Sequence, residues 1–250
     1  MGWVERFSIS GKTALVTGAS SGIGAEIATV YTEAGAEVIA TGQSKDRLDT
    51  LRAEIGCRTI VANIATAEGC QTLATEALRI ASPIDILVNS AGVAMVGPVL
   101  DYMTEDWDRT MAINLRAPFL LAKAVAPGMI NAGAGKIINI SSQTGVIALA
   151  DHAAYAASKG GLNALTKSLM AELAPYNIQV NAICPTVVMT EMGKEIWSPP
   201  EKSEPMLAAT PLGRFGEPVE IADMALYLAS PAADLVNGAL LMIEGGYSSI

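Results

Sequence analysis

One histidine, His152, and three cysteines, Cys57, Cys70 and Cys184, are all the chain offers of soft metal ligands and thiol nucleophiles. The cysteines are odd in number, far apart and in no C-x-x-C pair, which argues for reduced thiols rather than a disulfide framework or a zinc site. None has a histidine close in sequence that would mark it as a nucleophile. Charge is also scarce, at 16% of residues, and the balance is acidic, with a formal net charge of −9. Without a basic stripe, nucleic acid and anionic membrane surfaces are poor partners. The N-terminus carries Glu5 and no apolar h-region, so no signal peptide is expected. No uninterrupted apolar run approaches the length of a membrane span. A cytoplasmic protein acting on a small molecule is the expectation.

What is abundant is small and apolar. Hydrophobic residues make up 51% of the chain, with 23 glycines, which suits helices packed closely on a buried parallel sheet. A length of 250 residues suits one α/β domain, residues 1–250, and no linker, repeat or low-complexity run divides it. Short β-branched runs alternate with helical patterns. Strands are expected at Thr13–Thr17, Glu37–Thr41, Arg58–Val61, Ile84–Val88, Lys136–Ile140, Ile178–Ile183 and Ala239–Ile243. Helices are expected between them, including Lys45–Ile55, Ala67–Ile80, Ala153–Leu173 and Glu217–Leu228. A long helical pattern from Thr104 to Ile130 is expected to break at Pro118 and Pro127. The alternation predicts right-handed βαβ units in a Rossmann-type, doubly wound parallel sheet of about seven strands, helices on both faces.

Ligands of such sheets bind beyond the carboxyl ends of the strands. Gly18, Asn89, Ser142 and Pro185 all fall at such ends. After the first strand, Gly18-Ala19-Ser20-Ser21-Gly22-Ile23-Gly24 opens a helix. That turn gathers backbone N–H groups and a positive helix end, an arrangement suited to a pyrophosphate. The spacing is G-x-x-x-G-x-G rather than G-x-G-x-x-G.

Further on, Tyr155 and Lys159 lie one helical turn apart on one face. A phenol, with an ordinary pKa of about 10, is a poor base at neutral pH. An ammonium about 4 Å away, at an effective dielectric of about 20, is worth roughly 4 kcal/mol. That is about 3 pKa units, enough to bring a tyrosine near neutrality. The pair therefore has the parts of a general acid/base, with Ser142 able to offer a hydroxyl to a substrate oxygen.

Thr17-Gly18-x-x-x-Gly22-Ile23-Gly24, Asn89-Ser90-Ala91-Gly92, Asn114, Ser142 and Tyr155-x-x-x-Lys159 follow one another in the order and spacing of one family. With Pro211-Leu212-Gly213-Arg214 and Gly245-Gly246, they make the whole chain resemble the short-chain dehydrogenase/reductase family in its single-domain form. The resemblance implies that Tyr155 exchanges a proton with an alcohol or ketone and that Ser142 holds the substrate oxygen. Lys159 would lower the pKa of Tyr155 and meet the nicotinamide ribose. Asn114 would interrupt its helix to hold a water linking Lys159 to solvent. Gly18, Ile23 and Gly24, in one turn with Ser20, Ser21 and Gly22, would line the pyrophosphate. Asn89 and Ala91, followed by Gly92, would flank the adenine ribose. Val188 and Thr190, just past Pro185, would meet the nicotinamide.

Four departures from the family pattern stand out. Ser90 follows Asn89 in place of a second Asn. Thr186 follows Pro185 where Gly is usual. Asn63, next to Ile64, replaces an Asp that meets the adenine, although an amide oxygen can accept the same bond. Gly42 replaces the Asp that grips the ribose hydroxyls and repels a 2′-phosphate. Gln43 and Ser21 stand where phosphate-binding relatives often carry basic residues. Lys45 and Arg47 are near enough in sequence to reach a phosphate, and NADP is expected slightly ahead of NAD.

The segment Met189–Gly213 is long and proline-rich, which fits a substrate lid. Its apolar members, with Val146 and Leu149, suit a substrate with an apolar portion. Gln143, Thr144, His152 and Glu191 suit a polyol instead. The expected activity interconverts a secondary alcohol and a ketone. A polyol or sugar dehydrogenase and a 3-oxoacyl carrier-protein reductase are the alternatives within that chemistry. An acidic carrier protein would want a basic landing patch that this chain lacks. A non-catalytic dinucleotide-binding protein is disfavoured, because Asn114, Ser142, Tyr155 and Lys159 are all present. Apolar residues on several faces of the helices from Thr104 and Ala153, among them Leu115, Phe119, Leu165 and Met170, suit one two-fold interface, and a second at the last strand and Gly245–Ile250 would make the homotetramer that the resemblance also implies.

Overall fold

The computed structural model describes residues 2–250. The elements run α1 (Trp3–Arg6), β1 (Thr13–Thr17), α2 (Gly22–Glu33), β2 (Glu37–Gly42), α3 (Lys45–Ile55), β3 (Arg58–Val61), α4 (Ala67–Ile80) and β4 (Ile86–Asn89). The second half continues α5 (Thr104–Met111), α6 (Ala117–Ala132), β5 (Gly135–Ile140), α7 (Ala153–Leu173), β6 (Ile178–Pro185), α8 (Glu191–Trp197), α9 (Pro200–Ala208), α10 (Pro218–Ala229) and β7 (Leu240–Ile243). The strands form one seven-stranded sheet in the order β3-β2-β1-β4-β5-β6-β7, and every pairing is parallel.

Both faces of this sheet are covered, so its central strands β1 and β4 are mainly apolar, while β5 and β6 also bury Asn139, Gln179 and Asn181. Side chains still alternate in which layer they enter. Val16, Val88 and Ile138 pack with α2 and α10 on one face. Leu15, Leu87 and Ile137 pack with α4 and α6 on the other. The Tyr31 hydroxyl donates to the Ala225 carbonyl at 2.8 Å, tying α2 to α10 inside the first layer. Helix ends follow local chemistry. The Ser44 hydroxyl caps α3 by accepting from the Arg47 N–H, and Gly56 closes that helix at φ 72°.

The strand order reverses between β1 and β4. From β1 the chain moves outward to β2 and β3, then crosses back to β4, leaving a crevice beyond the carboxyl ends of β1 and β4.

Several boundaries differ from the sequence reading. β4 begins at Ile86 rather than Ile84 and reaches Asn89, and β6 runs on to Pro185. Neither Pro118 nor Pro127 breaks the long helical run. The interruption is a π-helical turn, Ala112–Arg116, in which the Ala117 N–H bonds five residues back to the Ala112 carbonyl. This widened turn sits immediately ahead of Pro118, where a proline ring would otherwise press on the preceding turn. The proline-rich segment after Met189 folds into α8 and α9, with Pro200 opening α9. Much of the apolar surface credited to the two long helices is covered within the chain, since Val125 and Leu162 are buried and Leu120, Leu169 and Met170 pack against the core. Phe119 remains 43% exposed. Among the described residues no helix is long and apolar enough to cross a membrane.

Candidate active site

A cavity of about 600 Å³ opens over the crevice. Its floor is the glycine turn after β1. Gly18 sits at φ 69°, and a Cβ there would lie 2.7 Å from the Ala91 Cα. A Cβ on Gly24 would lie 2.4 Å from the Gly18 carbonyl oxygen. These glycines are what let the turn fold back under the start of α2. The Thr17 hydroxyl locks the turn to the next strand. It accepts from the Ser90 and Ala91 N–H groups, each at 3.1 Å, and donates to the Val88 carbonyl at 3.3 Å. Ser21 stands at the N-cap of α2 without bonding the helix through its side chain, so the first N–H groups of α2 remain for a ligand. Ser21, Gly22 and Ile23 line the cavity. The residues present therefore fit a dinucleotide: a close glycine turn, a positive helix end without a side-chain cap, and a cavity large enough to receive it.

At the far end of that turn, the structure qualifies the expected adenosine contacts. A Cβ on Gly42 would lie 2.7 Å from the Ser20 Oγ, so Ser20 fills the space an acid at this position would need. Gln43 lines the cavity, but its Nε2 donates to the Asn63 Oδ1 at 3.2 Å. The same Oδ1 accepts from the Ala65 N–H at 3.1 Å, so the amide oxygen expected to be open to an adenine already has two donors. Asn63 is exposed and is not part of the cavity lining, and Ile64 is the residue that reaches the cavity. Asn89 is buried behind the wall, its Nδ2 donating to the Asn139 Oδ1 at 2.8 Å. Ala91 and Gly92 line the cavity, as do Pro185, Val188 and Thr190 on the opposite side. Lys45 pairs with Asp49, and the Arg47 guanidinium bonds the Glu191 carboxylate at 2.6 Å, so each of the two cations near this end holds a carboxylate.

The residues expected to serve as acid/base converge at the other end. Tyr155 and Lys159 come from the first two turns of α7, and Ser142 follows β5. Ser142 is 8% exposed; its Oγ pairs with the Thr144 Oγ1 at 2.7 Å and accepts from the Thr144 N–H at 3.1 Å. The Lys159 Nζ donates to the Ile140 carbonyl at 2.7 Å and sits 5.7 Å from the centre of the Tyr155 ring. In the cofactor-free protein the phenol is not drawn toward neutrality, as the sequence reading expected it to be. Burial lifts the Tyr155 pKa above its ordinary value, with the Ser142 hydroxyl acting in the opposite direction. Burial also lowers the Lys159 pKa to about 8. Desolvation disfavours both charged forms.

Asn114 lies in the π-helical turn and is fully buried. Its Oδ1 accepts from the Val93 N–H at 2.9 Å, and its Nδ2 donates to the Val93 carbonyl at 2.9 Å and to the Ser158 Oγ at 3.1 Å. The side chain is thus committed to the loop after β4 and to α7. Pro118, four residues on, has no N–H to offer the Asn114 carbonyl. Ser158 was not singled out by sequence reasoning. Ser158 is three residues from Tyr155, on the inward side of a helix whose face was already identified, and that spacing was the available signal.

Above the acid/base group, Gln143 is 2% exposed and its Oε1 has no protein partner. His152 lies edge-on to Tyr155 with ring centres 6.2 Å apart, and Trp197 of α8 also lines this part of the cavity.

A glycine turn at a topological switch point, with a tyrosine, lysine and serine at the adjoining strand ends, defines a nicotinamide-dependent oxidoreductase. The comparisons agree. Residues 18–248 match the family model described as enoyl-(acyl carrier protein) reductase, a short-chain dehydrogenase/reductase model. The chain is 43% identical over 249 residues to an NAD-dependent glycerol dehydrogenase of Listeria innocua, covering 99% of this chain and 98% of the relative. It is 43% identical over 247 residues to a D-threitol dehydrogenase of Mycolicibacterium smegmatis, covering 97% and 95%. The fold superposes on a gluconate 5-dehydrogenase of Burkholderia cenocepacia, solved with NADP and tartrate, with a TM-score of 0.94, 35% identity and 100% of both chains covered. The chain belongs to the short-chain dehydrogenase/reductase family, and it is an NAD(P)-dependent enzyme interconverting a secondary alcohol and a ketone.

Proposed function

We propose that the substrate is a small polyol or the matching ketose, and that Tyr155 is the general acid/base. The observation that carries the substrate reading is the polar wall beside Tyr155. The unpartnered Gln143 Oε1, the Ser142–Thr144 hydroxyl pair and His152 can bond several adjacent hydroxyl groups, where an acyl chain would leave them unsatisfied. The polyol names of the relatives agree with this reading. A 3-oxoacyl carrier-protein reductase is disfavoured because Glu191 and Glu195 line the mouth of the cavity, where an acidic carrier would approach.

In this reading Ser142 holds the reacting oxygen and Tyr155 takes the alcohol proton, or returns it to the ketone. Lys159 holds positive charge beneath the phenol and stabilises its ionised form. Asn114 fixes the loop after β4 against α7, and Ala91 and Gly92 in that loop form the opposite wall. The nicotinamide ring supplies hydride exchange with the carbinol carbon. Segment 189–213 serves as the lid, closing α8 over the cavity and excluding water.

We infer a preference for NADP. No acid at position 42 repels a 2′-phosphate, and Arg47 is within reach of Glu191 at the cavity mouth. Activity with glycerol, D-threitol, xylitol, galactitol and a 3-oxoacyl thioester, each with both cofactors, tests the proposal. Turnover of a polyol with NADP supports it; turnover of the thioester alone contradicts it.

A further inference from the structure

We propose that Asn163 is a positioning residue that fixes the catalytic loop Ser142–Thr144 on the acid/base helix. Asn163 lies on α7, one turn beyond Lys159, and is 5% exposed. It lines no part of the cavity. Its Oδ1 accepts from the Ser141 Oγ at 2.7 Å, and its Nδ2 donates to the Gly145 carbonyl at 3.2 Å. One amide therefore grips the residue before Ser142 and the residue after Thr144, bracketing the loop that carries the substrate-facing hydroxyls. The Cys184 thiol on β6 also points to the Asn163 Oδ1, at 3.8 Å.

The same clamp reaches Lys159. The Ser141 Oγ also lies 3.3 Å from the Lys159 main-chain carbonyl oxygen, a weaker branch of the one hydroxyl proton it gives Asn163, while the Lys159 Nζ donates to the carbonyl of Ile140, the residue just before Ser141. Consecutive residues at the end of β5 thus hold both ends of the lysine. Space is closed as well as bonded: a Cβ on Gly145 would lie 2.7 Å from the Asn163 Nδ2 and 2.9 Å from the Lys159 carbonyl oxygen. A buried amide costs desolvation that an apolar residue of the same size would not. Here every polar atom of that amide is spent on the segment flanking Ser142. Its function is then the distance between Ser142 on the loop and Tyr155 on the helix, where a displacement of about 1 Å can cost about 100-fold in rate.

The inference rests on the assignment of Tyr155 and Ser142 as the reacting groups. The test measures L-xylulose reduction with NADPH, and NADPH binding by fluorescence, for Asn163→Leu, Ser141→Ala, the double variant and Tyr155→Phe. Asn163→Leu is expected to lower kcat by about 10- to 100-fold, with NADPH affinity within about twofold of the parent and a full complement of binding sites. Because Ser141 and Asn163 act as one unit, the double variant should be no slower than Asn163→Leu alone. An unchanged kcat, a loss matched by loss of binding sites, or multiplying losses in the double variant each overturn the proposal. If Asn163→Leu does not fold, Ser141→Ala decides alone: a lower kcat at unchanged NADPH affinity supports the clamp, and an unchanged kcat overturns it. Tyr155→Phe retaining its rate would instead show that the acid/base assignment itself is wrong.

Discussion

At the scale of single residues, spacing marked the proposed acid/base pair, and burial sets the environment of both groups. Tyr155 and Lys159 share a helical face whatever surrounds them, so the sequence paired those two, while it is the fold that brings Ser142, just past β5, to the same cavity. The sequence did not reveal that the phenol and the ammonium are both desolvated, since neighbours from other elements create that environment. Nor did it reveal that the Asn63 oxygen is spent on Gln43 and Ala65, or that Asn163 bridges Ser141 and Gly145, 22 and 18 residues away. The lysine carries a consequence for stability. Its native pKa of about 8 lies below its ordinary value of 10.5. Between those values the unfolded chain binds more protons, so this group makes the cofactor-free protein more stable as pH rises from about 8 to 10.5. Lys159→Met removes that term. Urea unfolding at pH 7 and pH 10 should show the stability of the variant relative to the parent falling by up to about 3 kcal/mol across the interval. A constant or growing advantage would contradict the buried-ammonium account.

At the scale of elements, every strand was legible because each is a short apolar run between turn residues. Boundaries moved where side-chain pattern and backbone bonding part company, as at β4 and β6. The helix from Thr104 misled because proline usually breaks a helix, whereas here a π-helical turn absorbs Pro118 and places Asn114 at the same point. The tie between α3 and α8 was invisible, since Arg47 and Glu191 are 144 positions apart. That tie makes a prediction about cofactor choice. Glu191 competes with any phosphate for Arg47, so Glu191→Gln should tighten NADPH binding about two- to fivefold, the range of an exposed ion pair. NADH binding should not change, and the gain should shrink in high salt. Equal shifts for both cofactors in a fluorescence titration would remove Arg47 from the cofactor site.

At the scale of the whole molecule, the parallel sheet follows from the alternation of elements, and the crevice follows from its strand order. Assembly is harder to read, because a face that is apolar in sequence can be covered within the chain, as most of the helix surface is here. Among the apolar surfaces that remain outward are Phe119 at 43% exposure and Trp107 at 40%, and the edge strand β7 is half-buried. Pairing the α5–α6 side and the β7 edge, each across a two-fold axis, is the arrangement predicted here, a tetramer with 222 symmetry. Light scattering at micromolar concentration should return four times the chain mass of 25.9 kDa. A dimer would leave one region unpaired, and a monomer would refute both contacts.

The central claim is that Tyr155 moves the proton. Its most direct test is the turnover rate of Tyr155→Phe, measured beside NADPH affinity. Loss of the phenol hydroxyl should slow turnover by at least about 100-fold and leave NADPH affinity within about twofold, because only the proton carrier is gone. A variant that keeps more than about a tenth of the parent rate, below the usual contribution of a positioned acid/base group, would contradict the account.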